Sequence, residues 1–153
     1  MTQENETEKT APVFEMPDDS PGFLLAERAC YHVLERKGED MVILDLRGLS
    51  DVCDFFVVAS GMADVQVRAI ASSVREGLLN VGQKPSGSEG EGPGRWILLD
   101  YVDVVVHVLK PEVRDYYQLE RLWADARSLV IDEEHLRSEA FGRRHPDLAI
   151  ANP

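Results

Sequence analysis

The sequence predicts a single α/β domain, a mixed β-sheet flanked by helices in layers. Three observations carry that prediction. Residues 95–110 hold two apolar runs, 97–99 and 104–109, around a polar break bracketed by Asp100 and Asp103. Asp is a turn former, so the stretch reads as a β-hairpin. Val104, Val105 and Val106 do not alternate with polar residues, which places the second strand in the middle of a sheet covered on both faces. Upstream patterns run helix, strand, strand, helix before the hairpin, and a helix follows it. A hairpin is antiparallel while a strand-helix-strand crossover is typically parallel, so the sheet is mixed.

Residues 1–19 are polar, acidic and interrupted by Pro12 and Pro17. Such a stretch buries too little apolar surface to fold alone, and a disordered tail is expected. Ser20-Pro21 reads as an N-cap followed by proline at the first helical position. Leu25, Ala26, Ala29, Cys30 and Val33 then recur at helical spacing. Arg36 and Lys37 suit the C-terminal dipole, and Gly38 is placed to stop the helix. Residues 41–46 and 55–60 are nearly continuous apolar runs and form two strands, joined by a polar loop around Asp51 and Asp54. In the second helix Val67, Ile70, Val74, Leu78 and Val81 make one stripe. Asp64 opens it as cap or first-turn acid, and Gly82 ends it. Gly77 inside it costs about 1 kcal/mol relative to Ala and marks a close approach to the sheet. Residues 83–94 form a glycine-rich loop with a weak edge strand around 86–89. Pro111-Glu112 opens a third helix with Val113, Tyr116, Leu119, Leu122 and Trp123 as its contacts. The domain is expected over residues 20–123. Residues 124–153 are expected to be an extension: a short helix over 132–141 capped by Asp132, then a tail from His145-Pro146.

The 153 residues carry a formal net charge of −12. Such a chain repels phosphates and attracts basic proteins, which argues against broad nucleic-acid binding. Cys30 and Cys53 sit in no CxxC or Cys/His array, so no zinc site is expected. No charged-then-apolar leader and no run long enough to span a membrane is present, and a cytoplasmic protein is expected.

Few residues carry chemistry. Asp100 and Asp103 could hold Mg²⁺ and a nucleotide phosphate, as in nucleotidyltransferases, with Ser60-Gly61 before a helix completing the outline. The three-residue spacing points the two acids to opposite faces of a regular strand, so turn capping is the simpler role. His107, among valines, and His32, on the first helix, have no nucleophile motif beside them and read as histidines bonded to a neighbour. Gly61 reads as a tight strand-to-helix turn rather than an anion site. Trp96, Leu99 and Tyr101 surround the hairpin end. Large apolar and aromatic residues left exposed around a turn mark protein interfaces, and Trp96 fits a core or an interface equally well.

Four blocks together resemble one family. They are residues 44–50 (Leu-Asp-Leu-Arg-Gly-Leu-Ser), 54–61 (Asp-Phe-Phe-Val-Val-Ala-Ser-Gly), 95–108 and 111–123. Their order and content resemble the ribosomal silencing factor family, also called RsfS or Iojap-like. The resemblance implies a nucleotidyltransferase-like fold without catalysis and without a cofactor. It implies binding to ribosomal protein uL14 on the large ribosomal subunit, steric block of small-subunit joining, and repression of translation under nutrient limitation. It also implies a homodimer in isolation. Carried over, the uL14-facing residues are Trp96, Leu99, Asp100 and Tyr101, with Asp100 pairing a cation on the partner. The competing reading is a nucleotide-binding enzyme that uses Asp100 and Asp103.

The chain departs from the family pattern at several points. Val102 stands where many members have glycine; a β-branched residue resists positive φ, so this turn is expected to avoid the left-handed region. Ala63 replaces the usual Ser or Thr before Asp64, which weakens the helix cap. The 83–94 loop lacks the apolar residues of a full strand.

Overall fold

The structure, a computed structural model, describes residues 15–148. Most of the expected N-terminal tail therefore lies outside the described residues. At its near end Met16 packs against the core, and the Asp18 carboxylate accepts from Arg47 at 2.8 Å.

The elements are α1 (Pro21–Glu35), β1 (Glu39–Asp45), β2 (Phe55–Ser60), α2 (Asp64–Leu79), β3 (Gly87–Glu89), β4 (Trp96–Asp100), β5 (Val104–Leu109), α3 (Pro111–Tyr117), α4 (Leu119–Leu122), β6 (Arg127–Ile131), α5 (Glu133–Leu136) and α6 (Glu139–Arg144). Six strands form one sheet in the order β3-β4-β5-β2-β1-β6. Only β2 and β5 run parallel, and α2 lies in the connection between them. All other pairs are antiparallel, so the mixed α/β layer expected from the sequence is present. Every residue of β5 is buried, in agreement with its unbroken apolar run.

Alternation sorts the strands onto two faces. Ile43, Val57, Val106, Ile97 and Leu99 point one way and pack under α1 and α2 with Phe23, Val67, Ile70 and Val74. Leu44, Val58, Val105 and Leu109 point the other way, toward Val113 of α3 and Leu119 of α4. Two helices of 15 and 16 residues cover the first face. Elements of only 7 and 4 residues sit over the second. The second face is therefore less completely covered at its margins, where Val42, Phe56, Trp96, Leu98 and Trp123 are only partly buried.

Helix starts follow the sequence closely. The Ser20 hydroxyl caps α1 by accepting from the Phe23 N–H, with Pro21 next. Ala63 gives α2 no side-chain cap, as expected. Gln66 compensates: its Oε1 accepts from the Met62 N–H at 2.6 Å, and its Nε2 donates to the carbonyls of Arg36 and Lys37. The stop of α1 differs in detail. Lys37, not Gly38, takes the left-handed conformation at φ +62°. Gly38 is needed for space, since a Cβ there would collide with the Val33 side chain. Gly77 is a close approach too, but to α1 rather than the sheet: its missing Cβ makes room for the His32 ring. An alanine gains about 1 kcal/mol of helix propensity but overpacks against a ring that Glu35 holds at 2.8 Å, which costs about 1–3 kcal/mol. Gly77→Ala is therefore expected to lower the denaturant midpoint despite being the better helix former.

The hairpin turn corrects one expectation. Val102 has φ +73°, inside the region it was expected to avoid. Three hydrogen bonds hold it there. Asp100 Oδ1 accepts from the Val102 N–H at 2.8 Å, the Asp103 N–H donates to the Tyr101 carbonyl, and the Tyr101 N–H donates to the Val104 carbonyl. Closing two strands through so short a loop demands positive φ whatever residue stands there. A β-branched residue so placed stores about 1–3 kcal/mol. Val102 is exposed and packs little. Val102→Gly is expected to raise unfolding free energy by about 1 kcal/mol after the entropy cost of glycine is subtracted, read from denaturant unfolding.

Packed structure also continues past residue 123, where the expected domain ended. Arg127–Ile131 pairs antiparallel with β1 as the edge of the sheet. Asp132 caps α5 as expected by accepting from the His135 N–H, but Ser138 then caps a separate α6. His145 is not in a free tail; it is buried against Glu27.

Candidate functional site

Pleating decides what the hairpin shows to solvent. Trp96, Leu98 and Asp100 share one face of β4 and are partly buried, while Ile97 and Leu99 share the other and are enclosed under α2. Leu99 has no exposed surface and Tyr101 only 5 %. Of the four residues expected to face a partner, Trp96 and Asp100 are therefore on the open face, and Leu99 and Tyr101 are not. The correction is a matter of phase: successive strand residues alternate, so Leu99 cannot accompany Trp96, whereas Leu98 can. Leu99 and Tyr101 support the open face from the core side.

What lies beside Trp96 comes from α3. Pro111 starts that helix without a side-chain cap, and Gln118 ends it in the left-handed region at φ +50°. The break shifts helical phase, so a single stripe from Val113 to Leu122 does not form. Val113 and Leu119 are buried, but Tyr116 is 80 % exposed and Leu122 72 % exposed. The sequence spacing predicts packing for both. Tyr117 stands 5.0 Å from the Trp96 ring centroid and 4.9 Å from that of Tyr116. Farther along the same sheet face, Phe56 lies 6.1 Å from Trp123. The result is a ledge of Tyr116, Tyr117, Trp96 and Leu98 at the margin of the thinly covered face.

Ionic contacts fix the ledge. The Arg114 guanidinium donates to Ser60 Oγ at 2.9 Å and to Glu120 Oε2 at 2.7 and 3.2 Å, tying α3 to β2 and α4. Lys110 Nζ sits 3.1 Å from Asp64 Oδ1 and 3.4 Å from Glu112, anchoring the start of α3 to α2. Ser60 and Arg114 line a cavity of about 330 Å³ with Asp40, Gln118, Glu120 and Arg121.

The other sequence-chosen residues have structural partners. Asp100 Oδ1 is committed to the Val102 N–H, the turn-capping geometry. Asp103 is exposed on the far side of that turn, while its carbonyl accepts from the N–H groups of Asp54 and Phe55. His32 Nδ1 lies 2.8 Å from Glu35, and His107 Nδ1 accepts the Trp96 indole N–H at 3.1 Å, so both histidines are bonded to neighbours as expected. Cys30 is enclosed in the core. Burial pushes the Cys53 thiol up to about 11. Among the described residues, no group of three His, Cys, Asp or Glu side chains is placed to hold a metal ion. Nor is any helix long and apolar enough to cross a membrane.

Comparison with known proteins places the chain. Residues 17–151 match the family model described as ribosomal silencing factor during starvation. A ribosomal silencing factor of Bacillus subtilis is 41 % identical over 98 residues, 64 % of this chain and 83 % of that one. One from Chromobacterium violaceum is 46 % identical over 87 residues, 57 % and 71 % of the two chains. A crystal structure of a Chromobacterium violaceum protein superimposes with a TM-score of 0.64 at 41 % identity, covering 65 % of this chain and 83 % of that chain.

Proposed function

Since the chain belongs to the ribosomal silencing factor family, we propose that it docks on ribosomal protein uL14 of the large ribosomal subunit through the ledge around Trp96. Seated there, its bulk occludes the small subunit and represses translation under nutrient limitation. The mechanism is occlusion in the cytoplasm. It involves no reaction, catalytic residue or cofactor.

One observation carries this reading. The half-buried Trp96 at the margin of the sheet clusters with the exposed rings of Tyr116 and Tyr117, three aromatic side chains in one contiguous patch. Aromatic clusters of this kind supply most of the energy in protein interfaces, because they bury large area at low rotamer cost. Asp100 adds a charge at the hairpin end. Its Oδ1 holds the turn and its second oxygen remains for a cation on a basic partner. The net charge of −12 favours approach to such a partner, and the association rate should fall as salt rises. A homodimer in isolation would bury the same ledge.

The test is sedimentation of the purified chain with large subunits. Association at low salt that weakens with added salt is expected; failure to associate at saturating protein would remove the proposal.

A further inference from the structure

A histidine inside a run of valines is costly unless both ring nitrogens are satisfied. His107 lies at the middle of the sheet, 4 % exposed, and its Nε2 has no partner among the described residues. A leucine would fill the same space without that cost. Something other than stability is therefore obtained from the imidazole, and the geometry shows where. The Trp96 indole N–H is a donor only, and it meets His107 Nδ1 at 3.1 Å. Nδ1 must then carry the lone pair and Nε2 the proton. Burial pushes the imidazole pKa down to about 4, so the ring is neutral near pH 7 and keeps that acceptor.

The ring has little freedom. Register sets Leu98 on β4 and Val58 on β2 directly beside His107, and the Phe56 ring lies 4.5 Å away at a steep angle. Trp96 is thus held from two sides: by the hydrogen bond from within the sheet and by Tyr117 from α3.

We infer that His107 is a positioning residue of the docking face: its Nδ1 fixes the Trp96 indole in the orientation that a partner meets. The inference rests on the proposed role of the Trp96 ledge. Its physical basis is preorganisation. A side chain already frozen in its bound rotamer pays less entropy on association.

The experiment measures affinity of the full-length chain for purified large ribosomal subunits, together with thermal stability. His107→Leu is expected to weaken binding up to about tenfold while unfolding at the same temperature as wild type or higher, because an unsatisfied buried donor is removed. A purely structural histidine would instead lower stability. His107→Asn, whose Oδ1 can occupy the place of Nδ1, is expected to restore most of the affinity. In a Trp96→Phe background, where no indole N–H exists, His107→Leu is expected to cost nothing further. With Trp123→Phe leaving one tryptophan, His107→Leu is expected to lower the fluorescence anisotropy of Trp96. Wild-type affinity in His107→Leu, or an undiminished loss in the Trp96→Phe background, overturns the inference. If Trp96→Ala itself binds like wild type, the docking role fails and the inference falls with it. If Trp96→Ala weakens binding and His107→Leu does not, the inference alone fails.

Discussion

Trp96→Ala is expected to weaken binding to uL14 by 30-fold or more, the loss of about 2 kcal/mol that marks a central aromatic contact. The indole occupies the middle of the ledge, between Tyr117 and His107. Truncation removes its own contact area and leaves Tyr117 without its neighbour. Because Trp96 is partly buried, the variant also loses some stability, and circular dichroism must show it folded at the assay temperature. Tyr116→Ala separates the two effects. That ring is 80 % exposed, so its removal should change stability by less than about 0.5 kcal/mol while still reducing affinity. A pull-down with purified uL14 reads both. Equal capture of wild type and both variants would show that the ledge is not the contact.

The second large effect is on stability and lies far from the ledge. Glu27 has no exposed surface, yet three side chains from the C-terminal segment converge on it. His135 Nε2 lies 2.6 Å away, His145 Nε2 2.8 Å, and Arg144 donates at 2.6 and 3.0 Å. Burial alone would raise the Glu27 pKa. The hydrogen bonds from His135, His145 and Arg144, with the Arg144 charge, outweigh it and hold the carboxyl well below its ordinary range. Glu27→Ala leaves the buried His145 imidazole and the partly buried Arg144 and His135 side chains without their acceptor, and a broken buried pair costs about 3–5 kcal/mol. Denaturant unfolding at pH 7 measures it. A loss under about 1 kcal/mol would show that the C-terminal segment docks by apolar contact alone. The pH dependence has a definite sign. A carboxyl whose folded pKa lies below its unfolded value stabilises fully above the unfolded value and loses that contribution as pH falls. The wild type should weaken from about pH 4.5 downward, and Glu27→Gln should show a shallower slope there.

These residues also mark how far the sequence is legible. Local signals read through well. Ser20-Pro21, the valines of β5, and Val67, Ile70, Val74 and Leu78 of the α2 stripe each state their structure within a few positions; Val81, the fifth residue of that stripe, lies past the end of α2 at Leu79 and is 40 % exposed. Glu27 does not. On α1 it resembles any charged helix residue, and its partners lie more than a hundred positions away. The edge strand β6 is likewise weak in pattern. Arg127, Ser128 and Val130 face solvent, and only Ile131 is fully buried, so the alternation is too short to stand out. At the hairpin, strand alternation puts Trp96 and Asp100 on the open face and Leu99 on the enclosed one, a phase that the family resemblance alone does not convey. Leu122 leaves the predicted stripe because a left-handed residue at Gln118 interrupts the helical period, whereas Tyr116 is exposed within the unbroken helix, one turn from the buried Val113. Gln118 is neither glycine nor asparagine, so nothing local announces the break.

The chain is expected to act by occupying the large subunit rather than by chemistry. The most direct measurement adds the purified chain to separated ribosomal subunits and follows their joining by light scattering or sedimentation. Wild type is expected to reduce joining stoichiometrically with large subunits and without nucleotide, and Trp96→Ala to leave joining nearly intact. Normal joining at saturating wild-type protein, or inhibition that requires a nucleoside triphosphate, would contradict it.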